Sequence, residues 1–115
     1  MRRLNVFWNN KKAGILTEIR PGRGYIFEYN PLYLASELPH VSMTLPKSKT
    51  PYESERLFPF FANMLPEGTL RRVVCRTNHI DEKDYFGILY AMSDVDNIGA
   101  VSLKKIENEV NDTQF

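Results

Sequence analysis

Any reaction carried out by this chain would have to use His40, His79, Cys75 and a thin set of carboxylates. Their spacing assembles no catalytic constellation. The two histidines are far apart in sequence, and neither has a second ligand at a metal-binding interval. His79, between Asn78 and Asp81, reads as a polar residue joining two helices; chemistry needs several convergent groups rather than one. Cys75 lies between Arg72 and Arg76, a setting that favours a lowered thiol pKa. Beside Val73 and Val74, a small free cysteine reads more simply as core. The run DVDNIG at 94–99 imitates the start of a calcium loop. Ile98 and Lys105 then stand where the oxygen shell needs ligands, so the run reads as a turn before a strand. The glycines of PGRG at 21–24 lead into a strand and lack a following Lys-Ser pair, which excludes a phosphate loop. No enzymatic activity, metal or cofactor is expected.

Charge excludes another class. The 15 basic and 14 acidic residues leave a net charge of +1. Arg2, Arg3, Arg20, Arg23, Arg71, Arg72 and Arg76 are scattered along the chain rather than gathered in one run. Trp8 and the tyrosines could stack on bases, but affinity for phosphate requires clustered charge, so no direct nucleic-acid contact is expected. No signal-like apolar run opens the chain, and none approaches the roughly twenty residues that span a bilayer. The single cysteine cannot close an internal disulfide. A cytoplasmic protein that does not engage membranes is expected.

The elements that must position these residues are legible from periodicity. At 115 residues with 43% apolar content, the chain makes one domain, expected over 1–106, with a polar tail at 107–115. Residues 4–8, 13–20 and 25–29 alternate apolar and polar side chains, and the NNKK and PGRG segments between them are turn sequences. They predict a three-stranded antiparallel meander. Pro31 opens a single helical turn, and alternation at 41–45 predicts a fourth strand. The polar stretch 46–52 is expected to be a mobile loop. Three helices follow: one over 54–65 capped by Ser54, one begun by Pro66, and one from an Asp81 cap to Met92. In the second, Leu70, Val73 and Val74 share the apolar face. A closing strand is expected over 100–106. The predicted class is α+β, a small antiparallel sheet of a meander plus a fourth strand packed with about three helices.

The segment LFPFFANMLPEG, 57–68, carries the densest apolar content. Leu57, Phe60, Phe61, Met64 and Leu65 fall at helical spacing and so belong to a core-facing stripe, which leaves Phe58 off it. The rest of the segment, with its Pro-Glu-Gly stop, is a candidate interface, because aromatic anchors at helix ends are frequent hot spots.

These pieces resemble the N-terminal subdomain of the HipA family of toxin kinases. The resemblance runs through LNVFWNNKKAGIL, YIFEYNPLYLA, VSMTLP, FFANMLPEGTLRR and DYFGILYAMSDVDNIGAVSL, with NMLPEG at 63–68 its most specific part. Ser93-Asp94 replaces the more usual Gly-Asp opening of the last block. The resemblance implies a domain without the family's ATP-binding elements, catalytic aspartate or metal-binding aspartate. In the tripartite HipBST branch such a subdomain is a separate small protein, HipS, beside a shortened kinase, HipT, and a helix-turn-helix protein, HipB. The resemblance therefore implies an antitoxin that binds and inhibits a HipT-like serine/threonine kinase, in a complex completed by a HipB-like repressor. A scaffold that assists the kinase or the repressor without inhibiting is the alternative. Phe61, Asn63, Leu65, Pro66, Glu67 and Arg71 are the expected partner-binding residues.

Overall fold

The computed structural model describes residues 1–93 and 100–106. The expected turn at 94–99 and the expected tail at 107–115 lie outside the described residues.

Strands β1 (Arg2–Trp8), β2 (Lys11–Arg20) and β3 (Arg23–Tyr29) form the antiparallel meander that alternation predicts. Asn9 and Asn10 close the first hairpin with φ of 45° and 66°, the left-handed turn whose twist matches the strands. Pro21 and Gly22 close the second, with Gly22 at φ 72°. The short strand β4 (Tyr52–Ser54) pairs with β3, and β5 (Val101–Lys105) pairs with β1. The sheet order is β4-β3-β2-β1-β5, antiparallel throughout.

Register sets the core. Leu4, Leu16 and Phe27 are aligned across three strands, and Val6, Gly14 and Tyr29 form the next row. Gly14 must lack a side chain: a Cβ there would sit 2.3 Å from the Glu28 carbonyl oxygen. Helices α1 (Pro31–Leu34), α2 (Pro59–Ala62) and α4 (Tyr85–Ala91) all pack on this face of the sheet. Tyr33 stacks on Tyr29, Phe61 tilts against Phe27 at 5.6 Å, and Phe86 lies 6.3 Å from Tyr25. Helix α3 (Gly68–Asn78) sits further out and packs on α4. The molecule is thus an α+β domain with its core between one sheet face and a helical layer.

Several boundaries differ from expectation. The segment 41–45 is a tight turn with a single bridge between Ser42 and Leu45, not a strand. Pro39 and Pro46 flank it, and the Ser42 hydroxyl accepts from the Thr44 N–H at 3.2 Å, diverting backbone from any ladder. The fourth strand is instead β4, at the end of the stretch expected to be mobile. That stretch is tied down: the Tyr52 hydroxyl donates to the Pro46 carbonyl, and Lys47 Nζ donates to the carbonyls of Ser36 and Leu38. The helix expected over 54–65 shrinks to α2. Pro59 at its first position holds Phe58 extended at ψ 136°, so no helix can run through from Ser54. The same geometry turns the Phe58 ring into the core, 8% exposed, although it lies off the helical stripe. Finally, Asp84 rather than Asp81 caps α4, accepting from the Gly87 N–H at 3.1 Å. Asp81 instead closes the turn ahead of it, accepting from the Lys83 N–H.

Candidate docking surface

The Pro-Glu-Gly stop lies between α2 and α3, and its backbone sets how α3 leaves the core. Asn63 is the C-cap of α2 and Glu67 the N-cap of α3. Gly68 takes φ 57°, a left-handed conformation that strains any residue with a side chain. Arg71 then reaches back, its Nε donating to the Pro66 carbonyl at 3.1 Å, while its guanidinium lies 5.6 Å from the Tyr85 ring centroid. One cation thereby fixes the entry of α3 and its packing on α4.

The six expected contact residues separate accordingly. Asn63 and Glu67 are exposed, and Leu65 and Arg71 are half-buried. Phe61 and Pro66 are buried. Phe61, with 0% exposure, cannot reach a partner and instead joins Phe27, Phe58 and Phe60 in an aromatic cluster. Its place at a surface gives way to a core role, because a fully buried ring has no area left to offer. Pro66 serves through its carbonyl, as the acceptor for Arg71.

The face of α3 predicted as its apolar stripe is not packed inward. Leu70 is 53% exposed and Val73 51%, while the helix buries Cys75 and half-buries Arg71 and Val74. Exposed Arg72 and Arg76 border the open pair, one helical turn apart. Beyond them an open groove is lined by Arg72, Cys75, Arg76, His79, Asp81 and Glu82. It mixes two guanidinium groups with two carboxylates. Burial and then Glu82 push the Cys75 thiol pKa up, opposite to the lowering that its flanking arginines suggest in the sequence. His79 ends α3 in the left-handed conformation, with the Ile80 N–H donating to the Cys75 carbonyl at 2.8 Å. Among the described residues no group of three or more His, Cys, Asp or Glu could hold a metal ion.

Helix α3 thus presents an exposed apolar pair, Leu70 and Val73, beside the exposed Arg72 and Arg76, and follows directly on the turn at 66–68. Sequence reasoning located the turn but missed Leu70 and Val73 as surface residues. Helical periodicity shows that a stripe exists, and says nothing about whether its cover belongs to the same chain.

The fold and the turn define a class, and comparison with known proteins gives the family. The profile of the HipA N-terminal domain matches residues 4–104. This chain belongs to that family. It is 36% identical over 101 residues to an uncharacterised protein of Haemophilus influenzae, covering 87% of this chain and 89% of that one. It is 32% identical over 111 residues to the putative kinase Y4mE of Sinorhizobium fredii, covering 95% of this chain but 26% of that protein. A solved structure, the N-terminal domain of HipA toxin, superposes with a TM-score of 0.67 at 31% identity, covering 93% of this chain and 94% of that one. The matched family is the HipA N-terminal domain, not the kinase catalytic domain. Among the described residues, no helix is long and apolar enough to cross a membrane.

Proposed function

We propose that this protein is an antitoxin that binds a HipA-family serine/threonine kinase and holds it inactive. The carrying observation is the open apolar face of α3, Leu70 and Val73, in a domain that corresponds to about a quarter of a putative kinase. Where such a domain is covalently joined to a kinase, linkage keeps the two together. A separate domain loses that advantage and must recover the association entropy through its own contacts. Covering the exposed parts of Leu70 and Val73 contributes on the order of 1–2 kcal/mol. Arg72 and Arg76 beside them suit an acidic rim on the partner.

Phosphoryl transfer depends on placing the phosphate-binding groups correctly. A partner that prefers an open or blocked arrangement inhibits by shifting that equilibrium, without supplying any chemistry of its own. A helix-turn-helix repressor of the HipB type completes the proposed assembly and supplies the DNA contact. The test is co-purification with a shortened HipA-family kinase from the same genome, followed by a phosphorylation assay and a growth-rescue experiment. Tight binding with loss of kinase activity and restored growth is expected. Undiminished kinase activity in the complex overturns inhibition and leaves the non-inhibitory scaffold. No binding overturns both.

A further inference from the structure

Among the described residues, no helix packs on the second face of the sheet. Leu4, Leu16 and Phe27 point into the core, so the residues that alternate with them face the other way. Phe7 on β1, Ile15 and Ile19 on β2 and Ile26 on β3 stand on that outer face, and none of them belongs to the core cluster. Phe7, Ile15 and Ile26 are half-buried, and Ile19 is 39% exposed. An antiparallel sheet that shows one face to water normally carries polar side chains at such positions. Register places the outer residues side by side. Ile15 pairs with Asn5 on β1 and with Glu28 on β3, and Asn5 pairs in turn with Lys104 on β5. In the neighbouring row Ile26 pairs with Thr17 and with Glu53 on β4. The outer face thus carries Lys104 along one edge and Glu28 and Glu53 along the other, all three exposed, with apolar side chains between them.

We propose that this outer face is the interface of a symmetric homodimer, in which two sheets pack face to face about a twofold axis parallel to the strands and centred on β2. The charge pattern selects both the occupant and the axis. β2 is the central strand of the five, so rotation about it lays the Lys104 edge of each copy over the Glu28 and Glu53 edge of the other. An axis running across the strands would instead set lysine on lysine and carboxylate on carboxylate. Ile15 lies on the chosen axis and meets its own counterpart. Lys12, also on β2, lines a depression with Ile15 and Glu28 of the same chain, which offsets its charge near the axis. Two twisted antiparallel sheets pack well in this aligned way. Five strands about 4.8 Å apart and about six residues long cover roughly 1,000 Å² when two copies meet, the lower end of specific interfaces. Association in the micromolar range follows. Helix α3 packs on α4, on the helical side of the sheet, so dimerisation leaves its open apolar pair available.

The test is sedimentation equilibrium of the full chain from micromolar to millimolar concentration, where a monomer–dimer equilibrium is expected. Ile15→Asp sets two carboxylates against each other at the axis and is expected to be monomeric throughout, while Ile15→Val dimerises like the wild type. Lys104→Glu alone and Glu53→Lys alone are each expected to weaken the dimer about tenfold. An equimolar mixture of these two variants is expected to associate like the wild type, since each chain then meets its complement. Within one chain Lys104 and Glu53 lie on opposite edge strands about 19 Å apart, so only contact between copies produces that recovery. Both positions are exposed, which keeps the test decisive even where Ile15→Asp fails to fold. A wild-type chain that stays monomeric at millimolar concentration overturns the proposal. A dimer that shows no recovery in the mixture also overturns it, as does a dimer lost in Leu70→Asp, which would put the second copy on α3.

Discussion

Arg2, on the first strand, holds Asp84, the cap of the last helix, by two hydrogen bonds, Nη2 to Oδ1 at 2.8 Å and Nη1 to Oδ2 at 3.2 Å. The same guanidinium donates from Nε to Glu18 on β2 at 2.8 Å and lies over the Phe86 ring. Glu18 is 2% exposed, and its other oxygen accepts from the Gly22 N–H and the Tyr25 hydroxyl. Gly87 completes the fit, since a Cβ there would sit 2.3 Å from an Asp84 oxygen. One arginine thereby joins two strands to the start of α4, the helix on which α3 rests.

Replacing Arg2 with methionine should destabilise the domain by about 2–3 kcal/mol, because a buried carboxylate is left without its cation. Adding Glu18→Gln should recover part of that loss. Urea denaturation of the single and double variants checks this. A double variant as unstable as the sum of the singles would show that the two charges are not coupled.

Stability should fall at both pH extremes for identifiable reasons. Hydrogen bonds from Arg2 hold the Asp84 carboxyl below its ordinary range. Its contribution is therefore complete above about pH 4–5, where the unfolded group is ionised, and is lost as pH falls through the lower folded value. Burial, reinforced by Glu18, pushes the Tyr25 hydroxyl up to about 12. Its contribution is complete below about pH 10, the unfolded value, and disappears as pH rises through the folded one. Melting curves across pH should show the acid limb flattened in Asp84→Asn and the alkaline limb flattened in Tyr25→Phe.

Tyr29→Phe should leave the Val41 N–H and the Leu45 carbonyl without their shared partner, at about 1–3 kcal/mol. Hydrogen exchange should then quicken at Val41 and Leu45 while the central strands stay protected. Unaltered exchange in this turn would show that the tyrosine does not hold it.

Leu70→Asp and Val73→Asp should change stability by no more than about 0.5 kcal/mol, as expected for exposed positions. Both should abolish co-purification with the kinase. Arg72→Glu with Arg76→Glu should weaken binding most at low salt, where unscreened charge matters. Wild-type binding by the α3 variants would move the docking surface away from this helix.

The sequence by itself determined the meander. Strand alternation and the Asn-Asn and Pro-Gly hairpins are local effects, set by residues within a few positions of each other. The resemblance carried by NMLPEG led to the right family for the same reason. The helix expected from Pro66 starts only at Gly68, because Glu67 is extended ahead of it and Gly68 takes φ 57°. What failed was where distance or competition decides. The period-two pattern at 41–45 gave way to two flanking prolines and to hydroxyls that bond the backbone. β4 is only three residues long and exists because β3 offers it a free edge.

Only the tertiary structure decided which apolar residues face out. Phe58 and Phe61 lie in one aromatic-rich segment with Leu65, yet the first two close the core while Leu65 remains half-exposed. Leu70 and Val73 form a regular stripe, yet the Arg71–Pro66 bond and the packing of α3 on α4 turn it outward. The Arg2–Asp84 pair joins positions 82 residues apart. Periodicity records that a side chain needs cover; which surface supplies it depends on contacts made only after the chain has folded.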